Sequence, residues 1–120
     1  MSPTEDGESN PEVPAPAVAE LLRGRPGGPP PPLLLDCREP DEHALARIEG
    51  AMLIPMKEIP ERLAELEPWR DGSIIVHCHH GMRSLRVVGF LRERGFPRAR
   101  SMLGGIDAWS VEVDPTVPRY

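Results

Sequence analysis

Long apolar runs, abundant cysteine and an overall basic charge are all absent from this sequence of 120 residues. No apolar run approaches the roughly 18 residues that a membrane-spanning helix needs, so we expect no membrane span. The polar, acidic start does not resemble a secretory signal peptide, and we expect a cytoplasmic protein. Two cysteines are too few for a disulfide framework. In a reducing compartment they are predicted to be one buried and one reactive thiol.

Negative charge is concentrated at the start of the chain. The net charge is −5, and residues 1–22 contain five acidic residues and no basic one, so the remainder is neutral. Within that remainder, residues 83–100 contain six arginines and one acidic residue. A local basic segment in a chain without overall basic charge is not typical of nucleic-acid binding. It favours a small anionic substrate or an acidic partner.

The order of apolar segments indicates how the chain is organised. We predict a disordered acidic segment over residues 1–10 and one folded domain over residues 11–120. Short apolar runs alternate with segments of helical spacing along that domain. This alternation predicts an α/β fold, with a parallel sheet that is flanked by helices on both faces. In such a sheet the active site lies beyond the carboxyl ends of the strands.

Individual elements follow from the same patterns. Strands are predicted over residues 33–35, 51–54, 73–76 and 101–103, with a further edge strand starting at Val13. Helices are predicted over residues 16–23, 59–66, 84–94 and 106–109, with a helical turn from Pro40. Four consecutive prolines at 29–32 predict an extended connector between the first helix and the next strand.

The clearest predicted strand runs directly into a cysteine, Cys78, which a short loop joins to a helix. Cysteine attacks as the thiolate, and the backbone N–H groups of a loop that enters a helix stabilise such an anion. Cys78 is therefore the candidate nucleophile. The candidate substrate-binding loop consists of His79, His80, Gly81, Met82 and Arg83.

Two other interpretations of this segment are weaker. Protein tyrosine phosphatases have a similar loop with one more residue between cysteine and arginine, whereas here there are four residues, 79–82. The shorter loop makes a smaller cradle, which suits one sulfur atom better than a phosphate. A metal site is not expected, because consecutive residues such as His77 to His80 rarely converge on one ion. Nothing in the sequence implies a cofactor.

Four segments resemble the motifs of the rhodanese-like family, in the right order and at the right spacing. They are CHHGMRS at 78–84, LLLDCREPDEH at 33–43, RIEGAMLIP at 47–55 and GGIDAW at 104–109. The chain departs from the family pattern at Arg47, Leu53 and Cys37, none of which lies in the cysteine loop. The resemblance covers residues 12–120 and identifies the chain as a single-domain sulfurtransferase.

This resemblance implies a rhodanese-like fold with a five-stranded parallel sheet. It also implies transfer of sulfane sulfur from a donor such as thiosulfate to cyanide, a thiol or a protein thiol, through a persulfide on Cys78. Two alternatives stay open. In the first, the domain is a sulfur-relay or regulatory module that acts on a protein partner. In the second, which the loop length disfavours, it is a cysteine-dependent phosphatase or arsenate reductase.

Further expectations concern residues near the predicted strand ends. Asp36, Arg38 and Glu42 are interpreted as a structural charge network behind the active site. Cys37 is interpreted as a packed thiol, and a resolving role toward Cys78 is an open alternative.

Overall fold

A computed structural model describes residues 10–120 of the chain and contains one sheet of five parallel strands. The strand order across the sheet is β1-β5-β4-β2-β3. The strands are β1 (Glu12–Pro14), β2 (Leu33–Asp36), β3 (Met52–Leu53), β4 (Ile74–His77) and β5 (Ala99–Leu103). Strand β4 therefore lies at the centre of the sheet, and its carboxyl end is flanked by those of β2 and β5.

Helices cover both faces of the sheet. They are α1 (Ala15–Arg23), α2 (Pro40–Leu45), α3 (Met82–Glu93) and α4 (Gly105–Glu112), with a 3₁₀ segment over Met56–Trp69. One apolar cluster joins α3 and the 3₁₀ segment to the sheet, and a second cluster joins α1 and α4 to the opposite face. The predicted fold class, a five-stranded parallel sheet between helices, is confirmed.

Strand β4 is buried on both faces, as its apolar sequence predicts. Its side chains alternate, so that Ile74 and Val76 enter the α3 cluster and Ile75 enters the α1 cluster. Cys78, which follows the strand, continues this alternation and belongs to the α3 cluster. The core of the sheet thus fixes the direction of the candidate nucleophile.

The helix predicted over residues 59–66 is wrong in type. The structure has a 3₁₀ segment there, with non-helical backbone angles at Arg62 (φ −114°, ψ 18°). Pro60 and Pro68 lie inside it, and proline removes a backbone donor and clashes with the preceding turn of an α-helix. Two apolar residues of the predicted face, Ile59 and Leu66, are nevertheless buried against the sheet.

Other boundaries shift by one to three residues, the largest shift being at the end of α4. Helix α3 begins at Met82 rather than residue 84, and β5 begins at Ala99 rather than residue 101. The predicted disorder of residues 1–10 falls, except for Asn10, outside the described part of the chain. No helix between residues 10 and 120 is long and apolar enough to cross a membrane.

Candidate active site

Cys78 lies at the carboxyl end of β4 and is only 1% exposed. Its sulfur accepts hydrogen bonds from the backbone N–H groups of Gly81, at 3.0 Å, and Ser84, at 3.4 Å. The hydroxyl of Ser84 lies 3.4 Å from the same sulfur. Donors that converge in this way stabilise negative charge on a sulfur atom.

The loop depends on glycine at position 81. Gly81 immediately precedes α3 and has φ of +107°, which lies in the region that side chains with a Cβ rarely adopt. A Cβ at this position would also lie 3.3 Å from the backbone nitrogen of Gly104. Glycine therefore lets the loop turn tightly enough to aim its own N–H group at the Cys78 sulfur.

The start of α4 holds the loop from the other side. The N–H of Ile106 donates to the carbonyl of Cys78 at 2.8 Å, and that of Asp107 donates to the carbonyl of His79 at 3.1 Å. A Cβ on Gly105 would lie 2.5 Å from both carbonyl oxygens. The N–H groups at the start of α4 thus hold these two carbonyl oxygens in place and fix the orientation of the loop backbone.

Two buried serines form a hydrogen-bonded pair next to Cys78. The sequence interpretation did not identify them as site residues. Ser84 and Ser101 are both fully buried, and their hydroxyl oxygens are hydrogen-bonded at 2.7 Å. The Ser84 hydroxyl also donates to the carbonyl of Gly81 at 3.2 Å. The signal for Ser84 was its place directly after Arg83 in the loop motif, whereas Ser101 comes from β5 and had no local signal.

Arg83 does not use its side chain to contact the Cys78 sulfur. Its guanidinium forms two hydrogen bonds with the carboxylate of Glu42, at 2.6 and 2.9 Å. These bonds lower the pKa of Glu42 to about 2, and the same carboxylate raises the pKa of Arg83. The ion pair ties the first turn of α3 to α2.

The two histidines of the loop lie at its surface. The His79 ring is stacked between the rings of His80 and Tyr120, with 3.9 Å between centroids in each case. Burial lowers the pKa of His79, and the neighbouring His80 lowers it further. Met82, the other predicted contact residue, is 73% exposed beside the loop. The side chains of His79, His80 and Met82 form the rim of the site.

Tyr120 is a second residue that the sequence interpretation missed. Its hydroxyl donates to Glu42 at 2.7 Å and accepts from Arg38 at 2.9 Å, while its ring covers His79. It therefore joins the loop to the buried charges behind it. No local pattern could have placed this side chain, because it lies 78 residues from Glu42 in sequence.

The predicted charge network behind the site is present for Asp36 and Arg38, whereas the carboxylate of Glu42 pairs with Arg83 instead. The buried carboxylate of Asp36 accepts two hydrogen bonds from the guanidinium of Arg38, at 2.9 and 2.8 Å, and one from His43 at 2.9 Å. Burial alone would raise the pKa of Asp36, but the bonds from Arg38 and His43 outweigh it and the pKa is lowered. The network anchors the segment after β2 beneath the loop.

His77 differs from the neighbouring buried polar groups because its ring forms no hydrogen bond within the described residues. It is fully buried, and burial lowers its pKa to about 4. The imidazole is therefore neutral at physiological pH.

One group of side chains has the composition of a metal site. His79, His80 and Asp107 offer ligand atoms that lie within 4.8 Å of one another. However, both carboxylate oxygens of Asp107 already accept hydrogen bonds from Arg119, at 2.8 and 3.2 Å. A cation at this group would have to compete with this arginine for the Asp107 carboxylate.

Comparison with known proteins decides the family. A model of the rhodanese-like domain matches residues 18–112. The chain belongs to the rhodanese-like family. Among solved structures, the rhodanese-like chain is similar to the human single-domain sulfurtransferase TSTD1, with a TM-score of 0.70 and 26% identity over 85% of this chain and 96% of that one.

Curated relatives of this rhodanese-like domain include short and long proteins. Putative sulfurtransferase YtwF of Bacillus subtilis is 38% identical over 82 residues, which are 68% of this chain and 77% of that protein. Adenylyltransferase and sulfurtransferase MOCS3-2 of Zea mays is 39% identical over 95 residues, 75% of this chain. The chain spans only 20–30% of the length of the first relatives, the maize protein included.

Proposed function

We propose that this protein transfers sulfane sulfur from a small anionic donor such as thiosulfate to a thiophilic acceptor, through a persulfide on Cys78. The single observation that carries the proposal is the convergence of the Gly81 and Ser84 N–H groups on the Cys78 sulfur, at 3.0 and 3.4 Å. The sulfurtransferase names of relatives support it.

Two displacement steps complete the reaction. The Cys78 thiolate attacks the outer sulfur of thiosulfate, and sulfite leaves with the electrons of the broken sulfur–sulfur bond. An acceptor nucleophile then attacks the outer sulfur of the persulfide, and the Cys78 thiolate returns to the loop. Negative charge stays on or next to the same sulfur throughout, where the preorganised N–H groups stabilise it.

The rim of the site is consistent with a small anion. The first turn of α3 leaves its N–H groups without partners inside the helix, and those of Met82 and Arg83 belong to this turn. The Arg83 guanidinium adds positive charge nearby although Glu42 partly neutralises it. The sulfur itself is too deeply buried for a bulky donor group to surround it.

Steady-state kinetics test the proposal. With thiosulfate as donor and cyanide as acceptor, we expect ping-pong kinetics for the wild-type protein and no thiocyanate formation by Cys78→Ser. Cys37→Ser is the matched control, because it makes the same change at the neighbouring strand end, and it should form thiocyanate. Thiocyanate formation by Cys78→Ser would reject the proposed nucleophile.

A protein thiol is the acceptor that the exposed surface favours. Met82 and Leu85 are exposed and lie three residues apart on α3, so they share one face of the helix, and Leu103 is exposed at the end of β5. Contiguous exposed apolar groups are typical of protein docking sites. Leu85→Glu should then slow sulfur transfer to a reduced protein dithiol but not to cyanide. Val111→Glu, a similar change near the far end of α4, should affect neither.

The other alternative is tested separately. A phosphatase would hydrolyse a phosphate monoester, and we expect no such activity from this protein because its loop has four residues between Cys78 and Arg83. Phosphate release that depends on Cys78 would favour the phosphatase interpretation.

We place the sulfur-transfer reaction in the cytoplasm, where reducing conditions keep both free cysteines as thiols.

A further inference from the structure

The second cysteine, Cys37, lies beside the first. It follows β2 as Cys78 follows β4, and the two strands pair with Asp36 opposite His77. The N–H of Cys37 donates to the carbonyl of His77 at 3.1 Å, so the pairing continues to the strand ends. Cys37 is therefore the lateral neighbour of Cys78, although the proposed sulfur transfer does not use it.

Both cysteine side chains are on the same face of the sheet. Each belongs to the apolar cluster under α3, and each is only 1% exposed. Neighbouring strands lie about 4.7–4.9 Å apart, and a disulfide needs Cα atoms roughly 4.4–6.8 Å apart. The backbone therefore meets the spacing that a bond between the two sulfur atoms requires.

The charge state of Cys37 fits a latent role. Burial raises the pKa of the Cys37 thiol well above its ordinary value, and the negative charge of Cys78 raises it further. Cys37 thus remains a protonated thiol beside the reactive sulfur. It carries a proton that a departing anion can accept, and it is a poor nucleophile until that proton is transferred.

We propose that Cys37 discharges the Cys78 persulfide as sulfide when no acceptor arrives. This inference rests on the proposed persulfide. The Cys37 sulfur attacks the inner sulfur of the persulfide, which is Cys78 Sγ. A Cys37–Cys78 bond forms, the bond between the inner and outer sulfur breaks, and the outer sulfur leaves with its electron pair and the Cys37 proton as HS⁻. A dithiol reductant then reduces the disulfide and restores both thiols.

Discharge gives the domain a second activity, the release of sulfide from a sulfane donor at the expense of a dithiol. Because the Cys37 proton must move first, this step is slower than transfer to a good acceptor. The sulfur therefore goes to an acceptor where one is present and to sulfide where none is. Transfer to an acceptor and release as sulfide both start from the Cys78 persulfide. Only the release of sulfide requires Cys37.

Time-resolved intact mass tests the inference. The reduced full chain is loaded with thiosulfate, freed of excess donor and incubated without acceptor or reductant. For the wild type, the mass should fall from one added sulfur atom to two hydrogen atoms below the reduced chain, with one equivalent of sulfide released. Peptide mapping should find Cys37 joined to Cys78, at a rate that does not depend on protein concentration.

The control variant is Cys37→Val, which keeps an apolar side chain of similar size at the strand end. It should accept sulfur from thiosulfate and retain it at least about tenfold longer than the wild type, because the neighbouring thiol is gone. Equal rates of sulfur loss in the two proteins would overturn the inference. So would sulfide release from the wild type without a Cys37–Cys78 peptide.

A second measurement separates this inference from the proposed function. If neither protein gains sulfur from thiosulfate, the proposed donor reaction has failed. Diamide, a thiol oxidant, then tests the juxtaposition directly and should join Cys37 to Cys78 within one chain. Chains that form only intermolecular disulfides with diamide would show that the two sulfur atoms cannot meet, which would overturn the role of Cys37.

Discussion

The ends of β2 and β4 are built alike and behave differently. Each strand ends in a buried ionisable residue, Asp36 or His77, and each is followed by a buried cysteine. After Cys78 the chain turns at Gly81 into a helix, and two N–H groups converge on the sulfur. After Cys37 comes Arg38, whose side chain turns back to Asp36. Burial is equal at the two cysteines, so the segment after each strand decides which thiol meets an anion-binding loop.

The ionisable residues show a second contrast. Asp36 is bonded to Arg38 and His43, whereas His77 has no hydrogen-bond partner among the described residues and is neutral. The β2 end is thus held by charge, and the β4 end is held by packing and by the loop backbone.

The largest effect on stability is expected at Asp36. Asp36→Asn leaves the fully buried guanidinium of Arg38 without its counter-charge, and the loss of one partner of a buried pair costs about 3 kcal/mol or more. Denaturant unfolding measures this change. Asp107→Asn makes the same change in the more exposed pair with Arg119 and should cost much less. Equal losses would show that burial does not set the strength of the β2 pair.

At the β4 end, Gly81→Ala should reduce sulfur transfer most. The added Cβ strains the turn and meets the Gly104 backbone, so the Gly81 N–H moves away from the sulfur. We expect kcat/KM to fall by about 100-fold, as for the removal of one preorganised donor. Gly89→Ala is the matched control, because a Cβ there meets no atom within 4 Å. Unchanged kcat/KM in Gly81→Ala would show that the turn does not position the donor.

Acidification should destabilise the protein through His77. Between pH 6.5 and about 4 the unfolded chain binds a proton at this position and the folded chain does not, so lower pH favours unfolding. The free energy of unfolding should fall by about 2 kcal/mol from pH 7 to pH 5. The stability that Glu42 contributes is lost mainly below pH 4.5, under the measured range of pH 7 to 5.

His77→Asn, which does not titrate, should lose most of that pH dependence. His79 contributes in the same direction but less, since it is partly exposed. Direct titration by NMR gives an independent reading of the folded state. A His77 imidazole that becomes charged near pH 6.5 would contradict the account of its burial.

Tyr120→Phe should have the smallest effect. The change removes the hydrogen bonds of the hydroxyl to Arg38 and Glu42 and keeps the ring over His79. We expect a loss of about 1 kcal/mol in unfolding free energy, because Glu42 is partly accessible to water. Tyr120→Ala also removes the stacked ring and should cost more. Equal losses in the two variants would mean that the ring does not hold the loop.

The sequence was sufficient for features that local patterns determine. The strand that ends before Cys78, the glycine turn and the helix after it are neighbours along the chain, so spacing alone predicts their arrangement. The pair of Asp36 and Arg38 was predicted because charged residues collect at strand ends, but the pairing of Glu42 with the distant Arg83 was not. Within the 3₁₀ segment the apolar spacing suggested an α-helix. Pro60 and Pro68 interrupt the regular backbone hydrogen bonds of an α-helix, and apolar spacing takes no account of this effect.

Features that depend on distant segments were not predictable. The N–H groups of α4 bond the carbonyls of Cys78 and His79, although the GGIDAW segment by itself shows only a turn and a short helix. Ser101 reaches Ser84 because β5 lies beside β4. The position of Cys37 beside Cys78 likewise follows from the strand order, since the two residues are far apart in sequence.

The central claim is that the loop makes Cys78, and not its buried neighbour Cys37, the carrier of sulfur. The most direct test is the intact mass of reduced wild type, Cys78→Ser and Cys37→Val immediately after exposure to thiosulfate. The account predicts the gain of one sulfur atom by the wild type and Cys37→Val and no gain by Cys78→Ser. A sulfur atom gained by Cys78→Ser would contradict it and would assign the reaction to the thiol at the end of β2.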